Sequence, residues 1–523
     1  MRRSLFVLLV TLLFPASAAA APVLVLSHNG HATLRNDPYV TGPAITPAPT
    51  PAPASVTGQA SGIGHAPAGA PAFSGAEHAA RATASTGGAA PGTSSAPAKR
   101  KKKRKRPEIT FLSELARLHR TGALPAASYS ADVSAYHQAL ATEKRLRGTR
   151  RTELTAITVN MHNIAASHQL TVSRLPALMA TLAANQQWWT HGPLLSYGQR
   201  VEIAGSQLVW EYYPGQGIQL QVLGTFGKAN ALYTAGAASY PALEQLLSQM
   251  IPLAAQRGGG LAWEYYFHFD GGSPPWTSAM SQATGLEALS RGYLATGDST
   301  YLTVGTQALP IFSVKPPVGV NVKAPSGTRF LQYTFAPGTD IINAFLQTLI
   351  GLYDFAQVTH DSTASALFAA GDAQAQAELP SFDTGAWSLY QPGAEDSLDY
   401  HVLVTGFLQQ LCSLTQTPVY CTTAQHFQAY LKTPPVLTQL TAKARNRGAF
   451  ALRFRLSKES RVGVTITNDH DRTLFATSAS FGYGTRSFTI PRIKKAGTYG
   501  VVLAGTDLAG NFARITGDLQ ITR

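Results

Sequence analysis

From Glu108 onward, apolar residues recur at every third or fourth position, which is the pattern of an amphipathic helix. The pattern is clear from Phe111 to Leu118 and again from Leu140 to Leu154. A stretch rich in Gly, Pro and aromatics, from Tyr197 to Thr234, predicts loops and turns ahead of a helix that begins near Gln219. Further helices are predicted at 240–256, 278–296, 340–358, 364–379 and 401–414.

These later helices come in pairs, and the segments between them are rich in aromatic and acidic side chains. Paired helices with functional loops gathered at one open end are typical of an α-toroid or an incomplete (α/α) barrel. A helical solenoid is the competing architecture, but the sequence has no fixed repeat period to support it. We therefore predict a mainly α chain, with an (α/α) barrel or toroid over residues 108–433.

The pattern changes after Pro434 and Pro435. Between Phe450 and Leu456, apolar residues alternate with polar ones, and the same alternation recurs from Val462 to Ile466. Short alternating strands over about ninety residues favour an immunoglobulin-like or fibronectin-like β-sandwich over residues 434–523. Such modules usually bind or space, so we do not expect catalysis there.

The first hundred residues predict export. Residues 1–21 have the charged, apolar and small-residue regions of a secretory signal peptide, and their apolar run is too short to span a bilayer. Residues 22–107 are rich in Ala, Pro and Gly and predict a disordered linker that ends in the polybasic run from Lys99 to Arg106. We expect a secreted or cell-envelope protein without a transmembrane segment.

The net charge of +14 at first suggests a nucleic-acid partner. Eight of those charges lie in the run from Lys99 to Arg106, which leaves +6 for the rest of the chain and argues against nucleic-acid binding. The run is therefore a property of the linker. It could contact an anionic polymer or lipid headgroup of the cell envelope, or serve as a solvated spacer.

The chain has two cysteines, Cys412 and Cys421. In an exported protein, two cysteines so close together favour a disulfide, and two buried thiols on neighbouring helices are the alternative. No cluster of His and Cys at ligand spacing accompanies them, so we expect no metal site. No glycine-rich phosphate cradle follows a strand, so we expect no organic cofactor.

Three tyrosines carry the candidate chemistry: Tyr333, Tyr390 and Tyr400 lie in polar, turn-rich segments between helices. A phenol, with a reference pKa of about 10, suits reactions that remove a carbon-bound proton of very low acidity. Tyrosines in a helical protein are most often packing residues whose hydroxyl groups reach the surface. Their grouping nevertheless favours chemistry next to a carboxylate, as in sugar acids.

Several short motifs resemble, in the same order, the C-terminal catalytic domain of D-glucuronyl C5-epimerases. The resemblance covers roughly residues 197–430. Its motifs are 210–219, 269–272, 275–282, 351–355, 387–390 and 400–401.

This resemblance implies a helical (α/α) barrel that inverts carbon 5 of glucuronic acid within a heparosan-type polysaccharide, giving iduronic acid. It also implies catalytic roles for Tyr333, Tyr390 and Tyr400. Gln332 stands where the family has a glutamate, and an amide cannot titrate. Val404 lies near the place of a further family histidine.

The candidate substrate-binding residues surround these tyrosines. Arg329 is expected either to neutralise a substrate carboxylate or to lie solvated in its loop, and Trp276 either to stack on a sugar ring or to anchor the core. His401 is expected to cap the helix or orient Tyr400, or to contact the carboxylate. Asp270 is expected to form a turn. The full set is Gln332, Arg329, His401, Asn343, Trp276, Tyr213 and Gln216.

The expected partner is an anionic polysaccharide, and two other functions fit the same residues. A polysaccharide lyase removes the same proton and then expels the 4-linked sugar. A non-catalytic glycan-binding or envelope protein could retain the barrel without the chemistry, which the glutamine at position 332 is compatible with.

Overall fold

The computed structural model describes residues 21–27, 29–40 and 108–523. The predicted signal peptide, apart from Ala21, and residues 41–107 of the predicted linker, including the polybasic run, lie outside these ranges. Within them, none of the helices combines the length and the apolar character needed to cross a membrane.

The helical part begins at Phe111 and ends at Tyr430. Its α-helices are α1 (Phe111–Arg120), α2 (Ala126–Arg145), α3 (Gly148–Ala166), α4 (Leu175–His191), α5 (Val222–Thr234), α6 (Tyr240–Met250), α7 (Ala279–Thr296), α8 (Thr300–Ala308), α9 (Ile342–Thr359), α10 (Ser362–Glu378), α11 (Leu398–Thr415) and α12 (Pro418–Tyr430).

Helices α5, α7, α9 and α11 form an inner row. Each of them packs on the next member of the row, and each also packs on the helix that follows it in the chain, from α6 to α12. Nearly every residue in the first three turns of α7 and of α9 is buried, so these two helices lie at the centre of the core. The described helices therefore form two layers, as the paired pattern predicts.

The contact between α7 and α9 depends on a glycine. A Cβ atom at Gly351 would lie 2.1 Å from the carbonyl oxygen of Ala283, a backbone atom that cannot swing aside. Close approach of two helix backbones requires a residue without a side chain at this point. Gly351, which belongs to one of the motifs of the resemblance, thus sets the distance between the two central helices.

Short strands precede the inner helices. One sheet has the order β2–β1–β3–β4–β5, and three separate hairpins lie further along the chain. Their bounds are β1 (Ala21–Leu26), β2 (Ala32–Asp37), β3 (Arg200–Ile203), β4 (Trp210–Tyr213), β5 (Gly217–Leu220), β6 (Ala255–Arg257), β7 (Gly260–Ala262), β8 (Asn321–Ala324), β9 (Gly327–Phe330), β10 (Leu389–Gln391) and β11 (Ala394–Glu395).

The linker prediction is wrong for residues 22–40, because most of them lie in β1 and β2 or in the turn between those strands. β1 pairs in parallel with β3, and its Val23 and Leu26 are fully buried. Those strands are too short to change the average composition of a long Ala/Pro/Gly-rich segment. The stretch predicted as loops and turns also contains β3, β4 and β5, and its helix begins at Val222.

A buried ionic cluster fixes these first strands to the helical part. The ammonium of Lys228, on α5, lies 2.5 Å from a carboxylate oxygen of Glu202 and 3.2 Å from one of Asp37. Arg35 contacts the same two carboxylates at 2.6 and 3.1 Å. Lys228 is only 2% exposed, so its charge is neutralised almost entirely by these partners.

The last strands form two sheets around one hydrophobic core. The smaller sheet has the order β12–β14–β17 and the larger β13–β19–β18–β15–β16. The bounds are β12 (Leu437–Gln439), β13 (Lys443–Arg445), β14 (Phe450–Leu456), β15 (Ser460–Thr467), β16 (Thr473–Phe481), β17 (Gly484–Ile490), β18 (Gly497–Asp507) and β19 (Phe512–Thr522). We call residues 434–523 the β module.

The predicted disulfide is confirmed. Cys412 and Cys421 are bonded, with their Cα atoms 4.8 Å apart. The bond joins the last turns of α11 to the start of α12, so it holds one inner helix to its outer partner.

Replacing Lys228 with methionine should detach the first strands. The change leaves the buried carboxylates of Glu202 and Asp37 without their buried cation, and removing one partner of a buried ion pair costs about 3–5 kcal/mol. We expect a loss of this size in the free energy of unfolding and faster hydrogen exchange at the amides of β1. Lys323→Met, the same change at an exposed lysine, should alter neither the free energy of unfolding nor the hydrogen exchange in β1. Unchanged exchange in β1 of the Lys228→Met protein would contradict this account.

Candidate active site

The predicted tyrosines lie where the inner helices begin. Tyr333 is in the loop between β9 and α9, Tyr390 is on β10, and Tyr400 is in the first turn of α11. Because α9 and α11 pack side by side in the inner row, their N-terminal ends and the segments that lead into them meet at one end of the helical part.

The structure brings the three tyrosines together. The rings of Tyr390 and Tyr400 are 5.0 Å apart and meet at 64°. Tyr333 lies close enough to both for their charges to act on its own ionisation. Tyr333 and Tyr390 are each only 1% exposed, whereas Tyr400 is half-buried. We call these three residues the tyrosine cluster; Tyr400 lies at its more open side.

Burial raises the pKa of Tyr333 well above its ordinary value, and the neighbouring Tyr390, Tyr400 and Asp270 raise it further. Burial also raises the pKa of Tyr390, again with contributions from Tyr400 and from nearby carboxylates. Both phenols therefore carry their protons at neutral pH. In the protein without substrate, each is equipped to donate a proton.

Gln332 serves the cluster through its amide. Its Nε2 donates a hydrogen bond of 2.9 Å to the hydroxyl of Tyr333, and its proximity lowers the pKa of Tyr390 against the larger effect of burial. Within the described residues, the Oε1 atom of Gln332 and the hydroxyl of Tyr390 are both buried and without a hydrogen-bond partner. Buried polar atoms of this kind are costly and favour a site that a ligand completes.

Of the two roles expected for Trp276, the structure confirms the core anchor and contradicts stacking on a sugar. Its indole is 1% exposed, donates to the carbonyl of Phe267 and stacks on Tyr265 at 4.2 Å. Its ring also lies edge-on to Tyr333, 5.7 Å away. Trp276 therefore packs behind Tyr333 and supports it, and no face of the indole is open to a sugar.

Arg329 is engaged by two carboxylates of the protein itself. Burial lowers the pKa of the arginine, but ion pairs of its guanidinium with Glu378 and Asp340 outweigh this effect and raise the pKa. Two carboxylates already neutralise this cation, so it is not positioned to neutralise a third on a substrate. The sequence near Tyr333 shows the arginine but not Glu378, which comes from α10.

His401 is buried behind the cluster rather than exposed to a ligand. Burial lowers its pKa to about 4, its ring stacks on Trp387 at 3.7 Å, and its Nε2 lies 2.9 Å from the carbonyl oxygen of Phe427. A neutral ring that donates from Nε2 must accept at Nδ1. The expected contact with a substrate carboxylate is therefore wrong, and an effect on Tyr400 can only come through the shared first turn of α11.

A chain of hydrogen bonds runs from His401 to a buried acid. The Oγ atom of Ser388 lies 2.7 Å from Nδ1 of His401 and 2.5 Å from Oδ2 of Asp396. The hydroxyl of Ser388 thus lies between the carboxyl group of Asp396 and the imidazole, whose Nδ1 also accepts from the backbone N–H of Ser388 at 3.3 Å. Burial raises the pKa of Asp396 to about 7, in agreement with a protonated carboxyl.

The other candidate binding residues are engaged within the protein. The hydroxyl of Tyr213 accepts a hydrogen bond of 3.0 Å from Gln221. The side-chain oxygen of Gln216 accepts from the side chain of Asn160 and from the backbone of His268, both at 3.0 Å. Asn343, in the first turn of α9, is buried, and its Oδ1 is without a partner within the described residues. Of the three, Asn343 keeps an acceptor for a ligand.

Two residues of the site were not expected to act there. Asp270 occupies a turn at a φ of 45°, as its sequence indicates, but its charge also raises the pKa of Tyr333 and Tyr390. Tyr197, 41% exposed, lies beside Tyr400 and meets the ring of Tyr213 at 6.0 Å. The Asp-Gly-Gly sequence signals only a turn, and no sequence motif marks Tyr197.

The Asp396→Asn substitution should change how stability depends on pH. The pKa of Asp396 is about 7 in the folded protein, above its ordinary 3.8, so this group makes folding less favourable as the pH rises between those values. Asparagine cannot ionise, but its amide can donate to Ser388. We expect the free energy of unfolding of the variant, relative to wild type, to rise between about pH 5 and pH 8. Urea titrations at about pH 5 and pH 8 measure this difference in the free energy of unfolding, and Asp399→Asn, at an exposed carboxylate, is the control. The same difference at both pH values would show that Asp396 is already ionised at the lower one.

Comparison of sequences identifies the segment that carries most of this site. Residues 257–429 match the family described as D-glucuronyl C5-epimerase C-terminus. A D-glucuronyl C5-epimerase of Caenorhabditis elegans is 29% identical over 178 residues, which are 30% of this chain and 29% of that protein. An uncharacterized protein of Methanocaldococcus jannaschii is 30% identical over 137 residues, which are 25% of this chain and 44% of that protein. The chain thus spans less than half the length of either relative.

Among solved structures, a cellobiose 2-epimerase from Bacillus thermoamylovorans is 12% identical with a TM-score of 0.32, covering 55% of this chain and 76% of that one. A GH76 α-mannanase from Bacteroides thetaiotaomicron is 11% identical with a TM-score of 0.31, and the match covers 44% of this chain and 66% of that one. The assignment comes from the sequence matches: residues 257–429 of this chain are a D-glucuronyl C5-epimerase-like segment, as the motifs predicted.

Proposed function

We propose that this protein is a carbohydrate epimerase that inverts carbon 5 of uronic acid residues within an anionic polysaccharide. The observation that carries the proposal is the convergence of Tyr333, Tyr390 and Tyr400 within a segment resembling the C-terminal part of D-glucuronyl C5-epimerases. That the substrate is an anionic polysaccharide is itself part of this proposal.

The reaction needs two proton-handling groups on opposite faces of the sugar ring. One removes the proton from carbon 5, the other returns a proton from the opposite face, and the site stabilises the enolate-like intermediate between the two steps. A buried phenol that carries its proton can return it to carbon. Tyr390, with its unpartnered hydroxyl and raised pKa, has these properties.

The removal step needs a group that can accept a proton. A neutral phenol does so only if its own proton leaves as the proton of carbon 5 arrives. Asp270 is a carboxylate close enough to act on the ionisation of Tyr333 and Tyr390, and we assign to it the uptake of that phenolic proton. Gln332 cannot take this role, because an amide does not titrate.

Enolate stabilisation falls to hydrogen-bond donors at the substrate carboxylate. Tyr400 is at the open side of the cluster, and the amide of Gln332, which donates one hydrogen to Tyr333, has a second hydrogen for the carboxylate. Neutral donors suffice when they are fixed in a site that excludes water. This arrangement replaces the arginine contact expected from the sequence.

The finer features of the architecture belong to the same proposal. The inner row of α5, α7, α9 and α11 with its outer partners fits an (α/α) toroid whose loops line one end. The two sheets of the β module fit an immunoglobulin-like sandwich. Export, and action outside the cytoplasm, remain predictions from residues 1–21.

Proton exchange tests the proposal. After incubation with heparosan in heavy water, deuterium should appear at carbon 5 of the uronic acid residues, as measured by NMR. Tyr390→Phe should slow incorporation by about 100-fold or more, the usual size of an acid–base contribution. Tyr400→Phe should slow it by about 100-fold, because it removes a hydrogen bond to the enolate-like intermediate. Tyr353→Phe makes the same chemical change outside the cluster and should keep wild-type exchange.

Two other results would redirect the assignment. Appearance of a 4,5-unsaturated product absorbing in the near ultraviolet would identify a lyase. A folded protein that binds the polymer without exchange or cleavage, and whose two tyrosine variants bind it equally well, would identify a non-catalytic glycan-binding protein.

A further inference from the structure

The positive charge outside the polybasic run is distributed unevenly between the folded parts. Residues 434–523 contain 14 Lys or Arg and 5 Asp or Glu, a net charge of +9. Residues 108–433 contain 16 Lys or Arg and 21 Asp or Glu, a net charge of −5. The helical part, which carries the proposed active site, therefore repels a polyanion at long range, whereas the β module attracts one.

Five of the cations of the β module gather at one end of it. Arg445 ends β13, Arg447 follows in the next loop, and Arg492, Lys494 and Lys495 lie in the loop between β17 and β18. All five are exposed, and within the described residues none of them makes an ion pair with a carboxylate. We call these five residues the basic patch.

Hydrogen bonds hold the two loops of the basic patch together. The backbone amide of Asn446 donates to Thr522 at 2.9 Å, and its side chain donates to the carbonyl of Lys494 at 3.2 Å. The Nε of Arg492 donates back to the carbonyl of Asn446 at 2.6 Å. The two loops that carry these cations are thus held near one another despite the repulsion between their charges, which favours a surface that an anion completes.

The basic patch lies at the end of the β module that faces away from the helical part. At the opposite end, Lys458 donates to the carbonyl of Tyr430 at 2.8 Å, and Asn511 donates to that of Leu431 at 3.0 Å. Strand β14 runs from the patch toward that junction and presents Arg453 and Arg455 on its exposed face. A long polymer could therefore follow a line of cations along the module.

The chemistry of the patch selects among polyanions. No aromatic residue is exposed at 443–447 or 491–496 to stack on nucleic-acid bases, and no large apolar side chain is exposed there to enter a lipid surface. Guanidinium groups bind carboxylates and sulfates through paired hydrogen bonds. Exposed Thr485, Ser487 and Thr489 on β17, beside β14, add hydroxyl groups that suit sugar hydroxyls.

We propose that the basic patch of the β module is a binding site for an acidic polysaccharide. It captures the polymer by charge, and the helical part then acts on single uronic acid residues. The identity of the polymer rests on the proposed function, but capture by the patch does not require turnover.

The test compares binding and turnover in variants of the full chain. The triple variant Arg447→Gln, Lys494→Gln, Lys495→Gln should bind heparosan about tenfold more weakly than wild type, with a shallower dependence on salt. Its rate of exchange on a short glucuronate oligosaccharide should be unchanged, because these side chains lie outside the tyrosine cluster. The measurement is repeated with residues 99–106 changed to glutamine, so that the polybasic run does not mask the effect.

A matched control removes three exposed cations from the helical part: Arg151→Gln, Lys315→Gln, Lys323→Gln. This variant should keep wild-type affinity for heparosan. Equal weakening in both triple variants would show a net-charge effect and overturn the proposal. Tighter binding of duplex DNA or of phosphatidylglycerol vesicles than of heparosan by the patch would also overturn the proposal. If exchange is never seen but the patch variant alone loses polymer binding, the inference stands and the proposed activity fails.

Discussion

The close approach of α7 and α9 is the constraint on which the site depends. Where Gly351 meets the carbonyl of Ala283, the two backbones touch, so the segments that lead into both helices are brought within reach of each other. Trp276, ahead of α7, then packs edge-on against Tyr333, ahead of α9. A side chain at position 351 would separate the helices, and Tyr333 would lose this support.

This close packing also determines which groups of the tyrosine cluster can carry a charge. Burial, together with the packing of the phenols against one another, makes ionisation of Tyr333 and Tyr390 unfavourable, so both hold their protons. Arg329 is occupied by Asp340 and Glu378, and His401 is neutral and buried. In the proposed reaction, proton transfer therefore runs through phenols and a nearby carboxylate, and the attraction for a polyanion comes from the β module.

Features with local signals were predicted from the sequence. The helix pairs follow from apolar periodicity, the disulfide from two cysteines close in the chain, and the three tyrosines from their motif contexts. Features set by distant partners were not. Lys228 and Glu202 anchor β2 from about 165 to 190 residues along the chain. Glu378 pairs with Arg329 from another helix, and Trp276 is enclosed by rings from several loops. The sequence next to these residues does not indicate partners that lie so far away in the chain.

A crystal structure of the full chain with a glucuronate-containing oligosaccharide tests the central claim most directly. The account predicts a uronic acid ring in the tyrosine cluster, with its carboxylate toward Tyr400 and Gln332 and with phenolic oxygens of the cluster on opposite faces of carbon 5. A ring bound elsewhere in the helical part, or all phenolic oxygens on one face of carbon 5, would contradict it.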